Sequence, residues 1–214
     1  MKISPFHGFC LISLGSVAAC ATIPIMGDPA VEVFAVAETR PVGTSNEDAA
    51  DDPAIWRNPV DPSKSLIVGT DKKAGLHVYD LAGNELSFFE GAGLNNVDLV
   101  DLPDGRVLVA VSDRSDLATA HILLATLDTT TGTLTQIARE PVGAGEGYGI
   151  CIGDATSGAG LLVFSAPKNG IIYRTELSGL DAPSGRMGSK TTVLTTVPTQ
   201  PEGCVVDLRT NTLY

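Results

Sequence analysis

A polar opening recurs along the chain and constrains its fold more than any other feature. Each opening stands in front of a short apolar segment, and the openings begin at residues 51, 95, 148 and 202. They are Asp51-Asp52-Pro53-Ala54-Ile55-Trp56, Asn95-Asn96-Val97-Asp98-Leu99-Val100, Tyr148-Gly149-Ile150-Cys151-Ile152 and Glu202-Gly203-Cys204-Val205-Val206. Starts that are 44, 53 and 54 residues apart are typical of solenoids, propellers and other repeat architectures.

Strand-length segments fill the interval between one opening and the next. In the first unit they are Ala54–Trp56, Ser65–Thr70, Leu76–Asp80 and Glu85–Phe89, and turn residues separate them. Four short strands in one repeat predict one blade of a β-propeller, and no stretch shows a sustained helical period. The sequence therefore predicts an all-β fold built of four-stranded blades.

The later units follow the same plan. Beyond their openings, the predicted strands are Asn96–Val100, Val107–Val111, His121–Leu127, Leu134–Ala138, Leu161–Ser165, Ile171–Glu176, Thr191–Val197 and Cys204–Val206. The fourth unit reaches only Tyr214, so the chain holds about three and a fraction blades. Because a propeller closes with at least four blades, we expect an incomplete propeller and the N-terminal part of a longer chain. Closure by association of such fragments is the alternative.

The N-terminus has the composition of an export signal. Residues 1–19 carry Lys2 and a short apolar run, and Val17-Ala18-Ala19-Cys20 resembles a bacterial lipobox. This predicts an outer-membrane or periplasmic lipoprotein attached to the membrane through lipidated Cys20. The alternative is ordinary cleavage near Ala19 or Ala21 and a secreted bacterial protein. Residues 20–47 form a lead-in with one extended segment, Val31–Ala37, and residues 48–214 form the propeller domain.

Charge and cysteine usage narrow the partners. The net charge is −11 and the sequence pI is about 4.5, which argues against nucleic acid as a partner. Cys151 and Cys204 occupy matching positions in successive units, so neighbouring strands can bring them together. Export permits a disulfide between them. Two buried free thiols are the equal alternative.

A cation follows the opening of each of the three complete units at a similar spacing. These cations are Lys72, Arg114 and Lys168, and each follows the second predicted strand. The carboxylate and amide oxygens of the openings suit Ca²⁺, and the cations suit phosphate oxygens. A single Lys or Arg in a turn is ordinarily a solvated residue. Three aligned copies in a chain with 18% charged residues predict a shared polyanion site.

Several of these segments together resemble the β-propeller phytases. They are Asp48-Ala49-Ala50-Asp51-Asp52-Pro53-Ala54-Ile55-Trp56, Gly69-Thr70-Asp71-Lys72-Lys73-Ala74-Gly75-Leu76, Leu94-Asn95-Asn96-Val97-Asp98, Ser112-Asp113-Arg114-Ser115 and Glu202-Gly203-Cys204. The resemblance covers about Asp48 to Tyr214. It implies a six-bladed, calcium-dependent hydrolase that removes phosphate from phytate, inositol hexakisphosphate, taken up as its calcium complex.

Individual roles follow from the same resemblance. It implies that phosphate is held by Lys72, Arg114, Tyr148 and Lys168. It places Ca²⁺ near Asp51, Asp52, Asn95, Asn96 and Glu202, with Asp48 and Lys73 as further members of the site. It also implies a metal-activated water as the nucleophile, and a monomer when the protein is full length.

Two other functions compete with this hypothesis. One is a non-catalytic exported propeller that uses the same residues to hold structural calcium and a ligand or partner. The other is a propeller hydrolase of a different type, such as a lactonase, which requires a single deep metal in the channel. The aligned Lys and Arg residues favour a phosphate ligand over the lactonase.

Overall fold

A computed structural model describes residues 30–44, 48–153, 160–180, 187–210 and 212–214. The predicted signal segment, Cys10 and Cys20 lie outside the described residues. The chain divides into two compact units, Met1–Phe34 and Ala35–Tyr214. The described part of the first unit, residues 30–34, has no regular secondary structure. None of the helices in the described ranges has the length and hydropathy needed to cross a bilayer.

The second unit contains three antiparallel sheets of four consecutive strands each. Sheet 1 contains β1 Ala50–Trp56, β2 Leu66–Asp71, β3 Gly75–Asp80 and β4 Glu85–Glu90, with a 3-10 turn at Pro62–Lys64. Sheet 2 contains β5 Leu94–Asp101, β6 Val107–Asp113, β7 Thr119–Asp128 and β8 Thr133–Ala144. Sheet 3 contains β9 Gly149–Gly153, β10 Leu161–Ala166, β11 Ile171–Ser178 and β12 Gly188–Thr196. The predicted all-β class and the four-stranded repeat are confirmed.

Two predicted segments differ from the structure. In the described part of the lead-in, Val31–Ala37 pairs with no strand, although Thr44 donates a 2.6 Å hydrogen bond to Asp71 at the end of β2. The first strand of the fourth unit begins at Val206 instead of Cys204. It forms the hairpin β13 Val206–Asp207 and β14 Thr212–Leu213. Cys204 lies just before this hairpin, where its sulfur is bonded to Cys151 of β9.

Alternation along the strands produces two apolar cores, one on each side of sheet 2. Val107, Val109 and Val111 of β6 face a core shared with sheet 1, and Leu108 and Ala110 face a core shared with sheet 3. Successive side chains of a strand point to opposite faces, so a run of five apolar residues can bury both faces. Burial of a Leu or Val side chain stabilises the fold by about 1.5–3 kcal/mol. The apolar residues of β6 therefore favour packing of sheet 2 between sheet 1 and sheet 3.

Hydrogen bonds between the first strands of successive sheets add a polar link to this packing. The N–H of Val97 donates to the Asp52 carboxylate at 2.9 Å, and the N–H of Ile152 donates to the Asp98 carboxylate at 2.8 Å. These carboxylates sit at sheet-to-sheet contacts, where unpaired backbone N–H groups would be costly to bury. The polar openings of the repeat therefore lie side by side along three adjacent strands.

Candidate functional site

The first two polar pairs occupy β-bulges at equivalent positions. The register between β1 and β2 shifts between Ala50 and Pro53, and the register between β5 and β6 shifts between Leu94 and Val97. The bulged residues are therefore Asp51-Asp52 and Asn95-Asn96. A bulge re-aims side chains away from the regular alternation of a strand. Sheet 3 departs from this pattern, because Gly149 pairs directly with Ala166 and only Tyr148 precedes the strand.

Hydroxyl groups at the end of each second strand satisfy the backbone of these bulges. The N–H of Asp52 donates to Thr70 Oγ1, and the N–H of Asn96 donates to Ser112 Oγ, both at 2.9 Å. Each hydroxyl residue stands two positions before a cation of the repeat. The same segment thus fixes the polar pair and the turn that carries the cation.

The three cations follow the second strands of their sheets with the same backbone hydrogen bond. The backbone N–H groups of Lys72 and Arg114 donate to the carbonyls of Ala49 and Gly93 at 2.9 Å, and that of Lys168 donates to the carbonyl of Glu146 at 3.1 Å. Each acceptor lies two residues before a polar opening. The structure therefore places the three cations at equivalent points of three successive sheets, as the repeat predicts.

Lys72 is buried in a carboxylate pair. The residue is 6% exposed, and its Nζ donates to Asp48 at 2.7 Å and to Asp51 at 3.2 Å. Burial by itself would lower the pKa of Lys72, but the bonds to these carboxylates outweigh that effect and raise it above its ordinary value. Lys72 is therefore positively charged throughout the physiological pH range. The Lys72 partner holds the pKa of Asp48 below its usual range.

The half-buried Asp52 and the buried pair Asn95 and Asn96 bring further oxygen and nitrogen atoms to the two bulges. Burial raises the pKa of Asp52, and the hydrogen bond that its carboxylate accepts from the Val97 N–H offsets part of that rise. The Nδ2 of Asn95 donates to Asn96 Oδ1 at 2.5 Å. The Oδ1 of Asn95 is buried and accepts no hydrogen bond from the described residues. A buried acceptor of this kind is suited to a cation or an ordered water.

Tyr148 connects the third sheet to Glu202 and Lys168. Glu202 acts electrostatically on its phenol, and the Nζ of Lys168 lies 5.0 Å from the centroid of its ring. Burial raises the pKa of the Tyr148 phenol, and the negative charge of Glu202 raises it further. The phenol is therefore protonated at neutral pH and can donate a hydrogen bond. A cation over the ring face is a favourable arrangement for Lys168.

The turn that carries Arg114 is braced by Asp113, Ser115 and Arg139, residues with no predicted role in the site. Asp113 accepts hydrogen bonds from the Ser115 N–H at 2.8 Å and from Arg139 Nε at 2.5 Å. Burial would raise the pKa of Asp113, but its bonds with Ser115 and Arg139 lower it overall. Asp71 accepts from the Lys73 N–H in the same way. An aspartate directly before each of these two cations is the sequence signal that identifies the turn.

Glu146 is a further residue of the site that has no counterpart in the repeat and was not predicted. Its Oε1 lies 3.2 Å from Arg114 Nη1 and 2.7 Å from Lys168 Nζ, so it joins a cation of sheet 2 to a cation of sheet 3. These contacts join Arg114, Lys168 and, through its ring, Tyr148, whereas Lys72 pairs with Asp48 and Asp51. The bulges place Asp52 next to Asp51 and Asn95 next to Asn96, and the Glu202 backbone lies against Gly149, next to Tyr148. The roles assigned to them stay predictions.

The donor types in this group fit calcium. Carboxylate and amide oxygens are its preferred ligands, and the Oδ1 of Asn95 is a buried acceptor with no protein partner among the described residues. Within those residues, however, no group of three or more His, Cys, Asp or Glu side chains is arranged to hold a metal ion. Six to eight oxygens are needed for Ca²⁺, so the described side chains supply part of a calcium shell.

A disulfide fixes the segment that carries Glu202. Cys151 of β9 and Cys204 are bonded, which decides between the two alternatives that the sequence left open. Gly149 lies where this segment crosses β9, because a Cβ at Gly149 would stand 1.8 Å from the Glu202 carbonyl oxygen. Only glycine permits so close an approach. The disulfide therefore fixes the Glu202 segment near Tyr148, and the absence of a side chain at Gly149 leaves room for that approach.

We expect Gly149→Ala to lower the free energy of unfolding by about 1–3 kcal/mol, because the methyl group must push the Glu202 backbone away. Denaturant titration monitored by circular dichroism measures the change. Gly203→Ala is the matched control, since a Cβ there meets nothing within 4 Å. A Gly149→Ala protein as stable as the Gly203→Ala protein would contradict this account of the crossing.

The described sheets and their cation-bearing turns define an all-β repeat protein assembled from stacked four-stranded antiparallel sheets. The chain belongs to the phytase family, because its residues 9–214 match the sequence model of the family described as Phytase. It is 35% identical over 191 residues to the 3-phytase of Bacillus subtilis (strain 168). That alignment covers 86% of this chain and 49% of the relative, so the chain spans about half the length of that protein.

Proposed function

We propose that the full-length protein is a calcium-dependent phosphoric monoester hydrolase that removes phosphate from phytate. One observation carries the proposal: Lys72, Arg114 and Lys168 leave equivalent turns of three successive sheets. Phytate is a ring that presents several phosphate groups, and a row of cations at repeated positions matches such a ligand. The family membership of the chain and the name of its 3-phytase relative support the same substrate.

We further propose that the three sheets are blades of a six-bladed propeller. Sequential four-stranded antiparallel sheets that pack face to face support this arrangement. In it the openings of the repeat line the central channel, and the hairpin β13–β14 belongs to the next blade. The protein is then a monomer in which the remaining blades complete the site.

Charge balance favours a metal as part of the site. The carboxylates of Asp48, Asp51, Asp52, Glu146 and Glu202 outnumber the three cations and the neighbouring Lys73. A polyanion would meet net repulsion there in the absence of added positive charge. We propose that Asp51, Asp52, Asn95, Asn96 and Glu202 contribute to holding Ca²⁺. When bound, calcium would neutralise these acids and lower the pKa of a bound water.

The roles of the other residues follow from their protonation states. Lys72 and Arg114 carry positive charge and bind phosphate oxygens, Arg114 in a bidentate manner. Lys168 is oriented over the Tyr148 ring and faces the same substrate group. The Tyr148 phenol stays protonated and donates a hydrogen bond to phosphate. These donors act as fixed positive ends that stabilise charge developing on the transferred phosphoryl group.

Export of the protein is part of the proposal. A disulfide forms and persists in oxidising compartments, and the bond between Cys151 and Cys204 supports a periplasmic or secreted location. The lipobox-like segment before Cys20 favours a lipid anchor for the mature protein. Palmitate labelling of the wild type and of Cys20→Ala distinguishes the lipoprotein from ordinary secretion.

We expect the full-length protein to release inorganic phosphate from calcium phytate and to lose this activity in excess EGTA. Restoring free Ca²⁺ should recover the activity, whereas an equal concentration of Mg²⁺ should not, because Mg²⁺ demands a smaller octahedral shell. Full activity in excess chelator would contradict the calcium mechanism. Tight binding of inositol phosphates without phosphate release would instead support the non-catalytic binding protein.

A further inference from the structure

Glu146 is an exception to the repeat that the fold does not require. The carbonyls of Ala49, Gly93 and Glu146 occupy equivalent positions, and each accepts the N–H of the cation in its unit. The hydrogen bond needs only a main-chain carbonyl, which alanine and glycine supply as well as glutamate does. The turn hydrogen bond therefore does not explain why residue 146 carries a carboxylate side chain.

The contacts of that side chain point across the boundary between two sheets. Glu146 Oε1 accepts a hydrogen bond from Arg114 Nη1 at 3.2 Å and forms an ion pair with Lys168 Nζ at 2.7 Å. The side chains are 25% exposed for Glu146, 18% for Arg114 and 33% for Lys168. Because both cations lie within 3.2 Å of the same oxygen atom, their positive charges are close enough to repel one another. A single carboxylate oxygen offsets that repulsion and fixes both side chains.

We propose that Glu146 is a positioning residue that holds Arg114 and Lys168 together as one phosphate-binding pair. The proposal rests on the proposed function, because it assumes that these cations bind substrate phosphate. A guanidinium carries five N–H donors and an ammonium three, so one bond each to Glu146 leaves donors for a phosphate group. Prior ordering of two long side chains reduces the entropy lost when the ligand binds.

A double-mutant cycle in the full chain tests this role. Glu146→Ala is made in the wild type and in the Arg114→Ala/Lys168→Ala background. Binding of inositol hexasulfate, which a phosphatase does not hydrolyse, is measured by calorimetry, and phytate turnover is measured in parallel. We expect Glu146→Ala to weaken binding about 10-fold in the wild type, mainly as a higher KM in turnover, since ordering costs arise at each freed side chain. In the double background we expect no further loss.

Two further variants keep the outcome decisive. Glu176→Ala is the matched control, because Glu176 forms a similar ion pair with Arg174 on sheet 3, and it should leave binding unchanged. Glu146→Gln keeps an acceptor oxygen of the same reach and should retain part of the affinity. Equal losses in both backgrounds, or tighter binding after Glu146→Ala, would overturn the proposal. A Glu146→Ala effect that is seen in wild-type binding and absent in the double background, together with no phytate turnover, would overturn the proposed hydrolysis. It would still support the role of Glu146 in pairing Arg114 with Lys168.

Discussion

Lys72→Ala is expected to lower kcat/KM for phytate by about 100-fold or more in the full-length protein. A fixed cationic donor aimed at a developing negative charge typically contributes about 10²–10³ in rate. The substitution also leaves the carboxylates of Asp48 and Asp51 without their shared partner. Their uncompensated charge then repels the phosphate that Lys72 would have bound, so both effects reduce activity in the same direction.

Lys64→Ala is the matched control for this experiment. Lys64 lies in the 3-10 turn between β1 and β2 and also pairs with an aspartate, Asp61, but its side chain is 75% exposed. An exposed ion pair of this kind contributes little, so activity and stability should stay close to wild type. Initial rates of phosphate release with saturating Ca²⁺ give the comparison. Half or more of wild-type activity in a folded Lys72→Ala protein would remove Lys72 from the site.

The strand pattern could be predicted from sequence because it depends on local alternation. The predicted Val107–Val111 lies inside β6 Val107–Asp113, and Glu85–Phe89 matches β4 within one residue. Predicted strands were generally too short. The predicted His121–Leu127 is Thr119–Asp128 in the structure, since ladder hydrogen bonds extend a strand into polar residues that the apolar pattern does not mark.

The site was predictable only where it repeats. Lys72, Arg114 and Lys168 each follow the start of an opening by 19 to 21 residues, which is a signal that a single sequence contains. Glu146 occurs once, in a position where the other units have alanine and glycine, so no repeat identifies it. The bulges at Asp51-Asp52 and Asn95-Asn96 depend on the register between paired strands, and the composition of one strand does not specify that register.

The disulfide shows a different kind of limit. Matching positions of Cys151 and Cys204 indicated that their strands could be neighbours, but proximity of two thiols depends on how one sheet meets the next segment. The segment that carries Cys204 can reach β9 because Gly149 has no Cβ and the Glu202 backbone lies against it. A glycine in a strand is a weak signal by itself, because many glycines serve turns.

We expect Cys151→Ser/Cys204→Ser to lower the free energy of unfolding by about 4 kcal/mol. The bond joins residues 53 apart in sequence, and the loop-entropy estimate for a closed loop of that size gives about this value. Guanidinium titration of both proteins measures the difference. Reductant should destabilise the wild type by a similar amount and should leave the double variant unchanged, because the variant has no bond between these positions to lose.

The Cys151→Ser/Cys204→Ser variant should lose phytate turnover as well as stability. The denaturant concentrations at which turnover and sheet structure are lost show whether the disulfide positions Glu202. Glu202 is two residues from Cys204, and its carbonyl oxygen lies against Gly149 of β9, next to Tyr148. Loss of the bond frees the Glu202 segment from β9 before the sheets unfold, so phytate turnover should decline at denaturant concentrations where sheet structure persists. A loss of stability below about 1 kcal/mol would contradict the entropic role of the bond. Coincident loss of turnover and circular dichroism would show that the disulfide stabilises the sheets without positioning Glu202.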